Sequence, residues 1–220
     1  MRLESLTQIR FATFACVLLV PAAAVVTGCS PATRYYTLSQ VESVTPREAH
    51  AGAATALIGI GPVELPDYVD RPQIVVRTGS NTLDQATLDQ WGGSLDDMVP
   101  RVLVEDLTLR MPADHFVSFP QSGDLDFDYR VPVSISQFDV STAGEAVVVA
   151  RWQVRGKAGS GSVIVRETIA RAQADGTSYQ QRVAALSRAL AILTDEIART
   201  LAPLPRGDGR TGTARKAAKQ

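Results

Sequence analysis

Cysteine and histidine, the residues from which many metal and catalytic sites are built, are scarce in this sequence. Its 220 residues include two cysteines, Cys16 and Cys29, and two histidines, His50 and His115, which are well separated along the chain. A structural zinc site needs four ligands close together, and a nucleophilic side chain needs a base held beside it. The sequence offers neither set, so we expect no enzyme activity, no metal site and no cofactor.

Cys29 is the one residue with a clear chemical use, because its surroundings suit a covalent lipid. Arg2 and Arg10 precede an apolar run over 11–26, the layout of a signal peptide, and this run is too short for a spanning helix. It leads into Val-Thr-Gly-Cys at 26–29, where small residues precede a thiol as in the bacterial lipobox. We predict removal of residues 1–28 and lipidation of Cys29. An ordinary signal peptide is the alternative.

The composition is typical of a chain with one folded domain. Hydrophobic residues make up 45% of it and charged residues 20%, and the formal net charge of -1 gives no general attraction to nucleic acid. We expect a lipidated N-terminus with a short strand and a loop over 29–56, and an α+β domain over 57–203. A disordered, basic tail is expected over 204–220.

Strand and helix signals alternate along the first half of the domain. Short β-prone segments lie near 35–38, at 57–65 and at 73–77. A helix is expected to begin after Ser94, a capping residue, and to end at about Met111, because apolar residues recur there at helical spacing. Pro100 implies either a kink in this helix or a later start of its regular part.

The second half of the domain has the pattern of a meander followed by a helix. Three long segments alternate apolar and polar residues, and a change of phase near Gln137 indicates a β-bulge. An apolar stripe from about 178 to 201 predicts a helix that the following prolines end. The order of elements predicts an α+β fold: a mixed, largely antiparallel sheet with two amphipathic helices packed on one face.

Several short motifs, by their order and spacing, carry a resemblance to a known family. They are the lipobox, Arg-Tyr-Tyr-Thr-Leu at 34–38, Ile-Gly-Pro-Val at 60–63, the segment 65–75, Trp91, Ala-Arg-Trp at 150–152 and the segment 185–190. From Cys29 to about Pro203, the chain resembles the ABC-type transport auxiliary lipoprotein family of the PqiC-like kind.

The resemblance implies a non-catalytic lipoprotein on the periplasmic face of the outer membrane, held there by the lipid on Cys29. The implied partner is an MCE-domain protein of a system that moves lipids between membranes, which this subunit would dock at the outer membrane. Self-association into a homo-oligomer is left open. The alternative function is that of a stand-alone outer-membrane lipoprotein acting as a lipid-binding or assembly chaperone.

Two segments are candidates for the partner interface. Tyr35 and Tyr36 lie on a strand close behind the anchor, where an edge strand can pair with a partner. Burial in the core is the alternative for at least one of them. The loop 65–72, which contains two prolines, carries Tyr68 and Arg71, residue types that often dominate interfaces. For this loop, a purely structural turn is the alternative.

Overall fold

The described part of the chain, residues 32–42, 55–120, 125–157 and 163–206 of a computed structural model, contains eight strands and two α-helices. They are β1 (Arg34–Tyr36), β2 (Leu57–Glu64), β3 (Gln73–Gly79), β4 (Thr82–Trp91), α1 (Leu95–Arg110), β5 (His115–Ser118), β6 (Tyr129–Ser141), β7 (Glu145–Gly156), β8 (Val163–Gln173) and α2 (Tyr179–Leu201). A short 3-10 turn, Asp67–Val69, lies between β2 and β3. The predicted α+β class is confirmed.

All eight strands belong to one mixed sheet, which is organised around β6. One edge of β6 pairs with β7, and β7 pairs in turn with β8, both antiparallel, so the predicted meander is confirmed. The other edge is shared, because β2 runs parallel to the first part of β6 and β3 to its end. The sheet therefore has two branches on this side: β5 lies beyond β2, and β4 and then β1 lie beyond β3.

Two irregularities shape the strands of the sheet. The register between β6 and β7 shifts between Ile135 and Gln137, which confirms the bulge that the change of phase predicted. The register between β2 and β6 shifts between Ile60 and Val63. Gly61 lies in this second irregularity with a φ of 121°, and a Cβ there would lie 2.0 Å from the carbonyl oxygen of Phe119. Only glycine fits this position.

Both helices begin at the capping residues that their sequences provide. Ser94 precedes α1 and accepts a hydrogen bond from the Asp96 amide, and Ser178 precedes α2 and forms a reciprocal capping box with Gln181. Because α1 begins at Leu95, Pro100 lies inside the helix and the expectation of a later start is wrong. None of the helices in the described ranges is long and apolar enough to cross a bilayer.

The two helices pack together on one side of the sheet, which we call the covered face. α2 packs on β6, β7 and β8, whereas α1 packs on β2, β5 and α2. Between helices and sheet lies the core, whose largest fully buried side chains include Trp152, Phe138, Ile60, Leu103, Leu190 and Ile197. The opposite side, the open face, carries no helix within the part of the chain that the structure describes.

Two parts of the structure differ from the sequence-based expectations. β4 was not predicted, because its buried residues, Ala86, Asp89 and Trp91, neither alternate regularly nor are all apolar. Residues 204–206, which we expected in the tail, contact the domain: Arg206 forms an ion pair with Asp114 at 2.7 Å. The signal peptide, the lipidation site, most of the 43–56 loop and residues 207–220 of the expected tail lie outside the described residues.

Candidate functional site: the cleft beside β1

A half-open cleft with a volume of about 460 Å³ lies where β1, the turn after β2 and the start of α1 meet. Two of the four predicted interface residues, Tyr35 and Arg71, line it, and the other two do not. Its apolar lining includes Leu65, Val69 and Trp91. The structure therefore brings one residue from each candidate segment to the same surface, although they are far apart in sequence.

Tyr35 is the most exposed large hydrophobic side chain in the described part of the chain, at 68%. It lies on β1, which pairs through one edge with β4 and has no strand on its other edge among the described residues. A strand edge without a partner presents backbone donors and acceptors to an extended segment of another chain. The β1 edge thus combines an aromatic side chain with an available hydrogen-bonding ladder.

Arg71 contributes a polar group to the wall of the cleft. Its Nε atom is shielded from solvent and has no hydrogen-bond partner among the described residues. A buried donor without an acceptor costs about 1–3 kcal/mol, which an acceptor on a bound partner would recover. Arg71 follows the 3-10 turn, and its backbone amide donates to the Val69 carbonyl at 2.8 Å, so the turn fixes its position.

Tyr36 faces the interior and holds β1 in the sheet. Its hydroxyl donates to Asp89 Oδ1 at 2.6 Å, and its ring lies 6.4 Å from that of Tyr179 at the start of α2. Asp89 is buried and is also bound by Arg34, with Nε 2.8 Å from Oδ1. Burial and the hydrogen bond to Asp89 raise the pKa of Tyr36 above its usual range. Of the two tyrosines, Tyr36 is therefore the structural one.

Tyr68 is engaged inside the domain, on the side of the sheet opposite the helices. Its hydroxyl donates to Asp139 Oδ2 at 2.9 Å and accepts from the Phe138 amide at 2.8 Å, beside the bulge in β6. Burial raises its pKa to about 12, so it remains a donor to Asp139 at any physiological pH. Arg77 completes the group with a 2.6 Å ion pair to Asp139. These bonds support the structural alternative for Tyr68, and its interface role stays a prediction.

A second buried charge cluster joins the helices to the segment that follows β1. Asp106 on α1 is fully buried, and its Oδ1 accepts from the Val41 amide at 2.9 Å and lies 3.4 Å from Arg110. Arg110 also forms an ion pair with Asp195 on α2. Burial raises the pKa of Asp106 to about 6. This cluster fixes the chain that follows β1 against the two helices, and none of its residues lines the cleft.

No histidine or cysteine lines the cleft among the residues that the structure describes. His115 lies on β5 and is exposed, while His50 and Cys29 lie outside the described residues. Within the described ranges, no group of three or more His, Cys, Asp or Glu side chains is close enough together to hold a metal ion. The described residues give the cleft an exposed aromatic ring, a guanidinium, apolar walls and the polar side chains of Asp70, Gln90, Ser94 and Asp96. Aromatic and arginine side chains are typical of binding surfaces.

The sequence matches the model of one protein family along most of its length. Residues 36–198 match the family described as the ABC-type transport auxiliary lipoprotein component. The matched range begins within β1 and ends within α2, so it includes all the other elements of the fold. A search of curated proteins found no match.

Solved structures share the fold at low sequence identity. One is an uncharacterised protein, 21% identical with a TM-score of 0.63, aligned over 77% of this chain and 99% of its own. Another is protein XCC0632 from Xanthomonas campestris, of the family DUF330, 17% identical with a TM-score of 0.61 over 76% of this chain and 94% of its own. A PelC dodecamer from Paraburkholderia phytofirmans is 13% identical over 66% of this chain and 93% of its own. Its TM-score of 0.32 is too low to bear on the fold.

Proposed function

Since the chain belongs to the ABC-type transport auxiliary lipoprotein family, we propose that it is a lipid-anchored, non-catalytic subunit of an MCE-type system that transports lipid between membranes. In this proposal the lipid on Cys29 holds the domain at the periplasmic face of the outer membrane, where the domain docks an MCE-domain protein. The observation that carries the proposal is the family match over residues 36–198. The lipobox at 26–29 supports the anchor.

The short distance in sequence between Cys29 and β1 constrains where the partner would bind. Arg34, the first residue of β1, is five positions after Cys29. Five residues span at most about 18 Å when fully extended. A lipid on Cys29 would therefore keep β1, and the cleft beside it, close to the membrane surface. A partner that approaches the outer membrane would meet this end of the domain.

The cleft supplies the contacts that such docking needs. An extended segment of the MCE-domain protein can pair with the outer edge of β1 and place a carbonyl or carboxylate oxygen at Arg71 Nε. Tyr35 would then be buried at the centre of the contact, where aromatic and arginine side chains contribute most to binding. Tyr36 and Tyr68 would act indirectly, by holding β1 and the 3-10 turn in place.

Copurification tests the partnership. The lipoprotein is isolated from envelopes solubilised in mild detergent with its anchor intact, and the expected result is an MCE-domain protein in the eluate. The double variant Tyr35→Ala with Arg71→Ala should lower the recovery of that partner at least tenfold. The control, Ile192→Ala with Arg199→Ala, removes one exposed hydrophobic side chain and one exposed arginine on α2 and should leave recovery unchanged. The absence of any MCE-domain protein from the wild-type eluate would contradict the proposal.

Fractionation tests the anchor separately. Cys29→Ala removes the only thiol that lipidation can use after cleavage, so the domain should appear in the soluble periplasmic fraction. Its thermal midpoint should match that of the released wild-type domain, since Cys29 precedes the first strand. Retention of the variant in outer membranes from cells that lack the MCE-domain protein would mean that a different group anchors the chain.

A further inference from the structure

The open face of the sheet contains a second cavity, which the docking function does not use. It is a half-open groove of about 330 Å³ that extends across β6 and β7. Among the described residues, three arginines line it, Arg130, Arg151 and Arg155, and one acidic residue, Glu64. We call it the arginine groove. The groove is positively charged, whereas the chain as a whole has a formal net charge of -1.

Arg130 is held over an aromatic floor. The ring centroid of Phe119 lies 4.8 Å from its Cζ and that of Phe127 lies 5.5 Å away, and the two rings meet edge to face. The floor depends on glycines of β2. Phe127 packs on Gly59, where a Cβ would lie 3.1 Å from the ring, and Phe119 lies at the position that Gly61 leaves open. Stacking fixes the guanidinium plane and leaves its edge N–H groups for an acceptor.

Two of the three arginines lack, among the described residues, the carboxylate partners that a purely structural role would call for. Arg130 and Arg155 lie directly opposite each other in the β6–β7 register, and like charges in that relation destabilise a sheet. Within the described residues, neither forms an ion pair, and Arg155 bonds only to Gln153, at 2.9 and 3.0 Å. Arg151 has an exposed contact with Glu167 at 3.3 Å. Two unneutralised guanidinium groups side by side are complementary to an anion.

An apolar strip on β8 borders the groove. Val163 lies opposite Arg155 in the β7–β8 register, and Val165 lies opposite Gln153. Val163 and Val165 are 62% and 51% exposed, which places them among the few large hydrophobic side chains that the described residues leave in solvent. Glu167, which pairs with Arg151, follows on the same face, so the apolar strip consists of Val163 and Val165. Cationic groups beside exposed aliphatic groups suit a ligand that has a negative head and an apolar tail.

We propose that the arginine groove binds the phosphate of an anionic phospholipid headgroup, with the start of the acyl chains lying on the strip formed by Val163 and Val165. Arg130 and Arg155 donate to the phosphate oxygens, and Arg151 strengthens the local positive potential. Charge complementarity selects the head, and the apolar strip distinguishes a lipid from free phosphate. A symmetric contact with the same groove of a second copy does not fit, because it would bring together two patches of positive charge. The site goes beyond the proposed docking function, which requires no lipid contact from this subunit apart from the anchor.

Calorimetric titration tests the site on the intact lipoprotein in nanodiscs of phosphatidylcholine, with empty nanodiscs subtracted. The probes are water-soluble dihexanoyl phosphatidylglycerol, dihexanoyl phosphatidylcholine and inorganic phosphate. The anionic lipid should bind most tightly, and its affinity should fall as salt rises. Arg130→Gln with Arg155→Gln should weaken it at least tenfold, since each lost guanidinium removes a charge-assisted hydrogen bond. The control pair, Arg171→Gln with Arg199→Gln, removes two exposed charges elsewhere and should leave the affinity unchanged.

Two further variants separate the alternatives. Arg155→Gln alone, whose guanidinium bonds only to Gln153, should weaken lipid binding severalfold without altering the thermal midpoint. Val165→Ser should weaken the lipid and leave inorganic phosphate unaffected. Wild-type affinity in both arginine variants would overturn the proposal, as would equal loss in the control pair. Phosphate binding as tightly as the anionic lipid would identify a free-phosphate site and would also overturn it. A lost MCE partnership leaves these titrations unchanged, so the two proposals fail separately.

Discussion

The covered face and the open face of the sheet belong to the same strands, yet they carry side chains of opposite character. On β7, alternate residues from Ala146 to Val154 are buried beneath α2, whereas Arg151, Gln153 and Arg155 face the other way. On β8, Ala170 is fully buried while Ile169 beside it is half exposed. The covered face is therefore determined by packing, and the open face retains groups that packing alone does not explain.

The two faces also differ in how they hold charge. Buried carboxylates on the helix side are paired, Asp89 with the exposed Arg34 and Asp106 with the buried Arg110. On the open face, Asp139 is likewise paired with Arg77, beneath Tyr68, but Arg130 and Arg155 have no ion-pair partner within the described residues. Substitutions of buried or paired groups on either face should accordingly affect stability, whereas substitutions of the unpaired arginines on the open face should affect binding.

The largest difference is expected between two aliphatic positions, Leu190 on the covered side and Ile169 on the open face. Leu190→Asp places an unpaired charge in a site with no solvent exposure, which costs several kcal/mol against a total stability of about 5–15 kcal/mol. We expect it to unfold the domain, whereas Ile169→Asp should shift stability by no more than about 0.5 kcal/mol. Circular dichroism melting measures both. Equal midpoints would mean that the stripe of α2 does not face the core.

The buried carboxyl of Asp106 should make stability depend on pH. Because its folded-state pKa of about 6 exceeds the ordinary 3.8, the folded protein binds this proton more tightly than the unfolded chain does. The stabilisation that this proton gives to the folded state is complete below about pH 3.8 and is lost as the pH rises through about 6. Relative to wild type, Asp106→Asn should therefore gain up to roughly 3 kcal/mol between those values. Denaturant titrations of both proteins at several pH values measure this gain in unfolding free energy. If the free energies of the variant and the wild type change with pH in parallel, the prediction is wrong.

The hydroxyl of Tyr68 should matter for stability, and that of Tyr35 should not. Tyr68→Phe leaves the Phe138 amide without the acceptor that it now has, and it removes one donor to Asp139. The expected loss is about 1–3 kcal/mol. Tyr35→Phe makes the same chemical change at an exposed site and should have an effect of no more than about 0.5 kcal/mol. Equal losses in the two variants would show that the turn over β6 is not held by this bond.

The covered face was largely predictable from the sequence because its determinants are local. Alternating apolar residues fix the faces of β6 and β7, the change of phase fixes the bulge, and Ser94 and Ser178 fix the starts of the helices. β4 was missed because a buried aspartate, Asp89, stands where the pattern requires an apolar residue. Its partners, Arg34 and Tyr36, are more than fifty residues away, so no local signal identifies it.

The cleft beside β1 and the arginine groove were less predictable because they depend on pairing between distant segments. Tyr35 and Arg71 were recognised as residue types, but only the sheet topology places both in one cleft. The arginine groove was missed entirely. Arg130 and Arg155 look like ordinary solvent-facing residues of two strands, and their proximity follows from the β6–β7 register. The signal available in the sequence was the series of alternating arginines and valines in β7 and β8, which we interpreted only as strand pattern.

Site-specific photocrosslinking in living cells tests the central claim most directly, namely that the cleft beside β1 contacts the transport partner. A photoreactive amino acid replaces Tyr35 in one strain and Ile192, on the solvent side of α2, in the other. We expect irradiation to join position 35 to an MCE-domain protein and to leave position 192 without that adduct. If position 192 crosslinks to the partner and position 35 does not, the partner binds the helix side and the account given for the cleft is wrong.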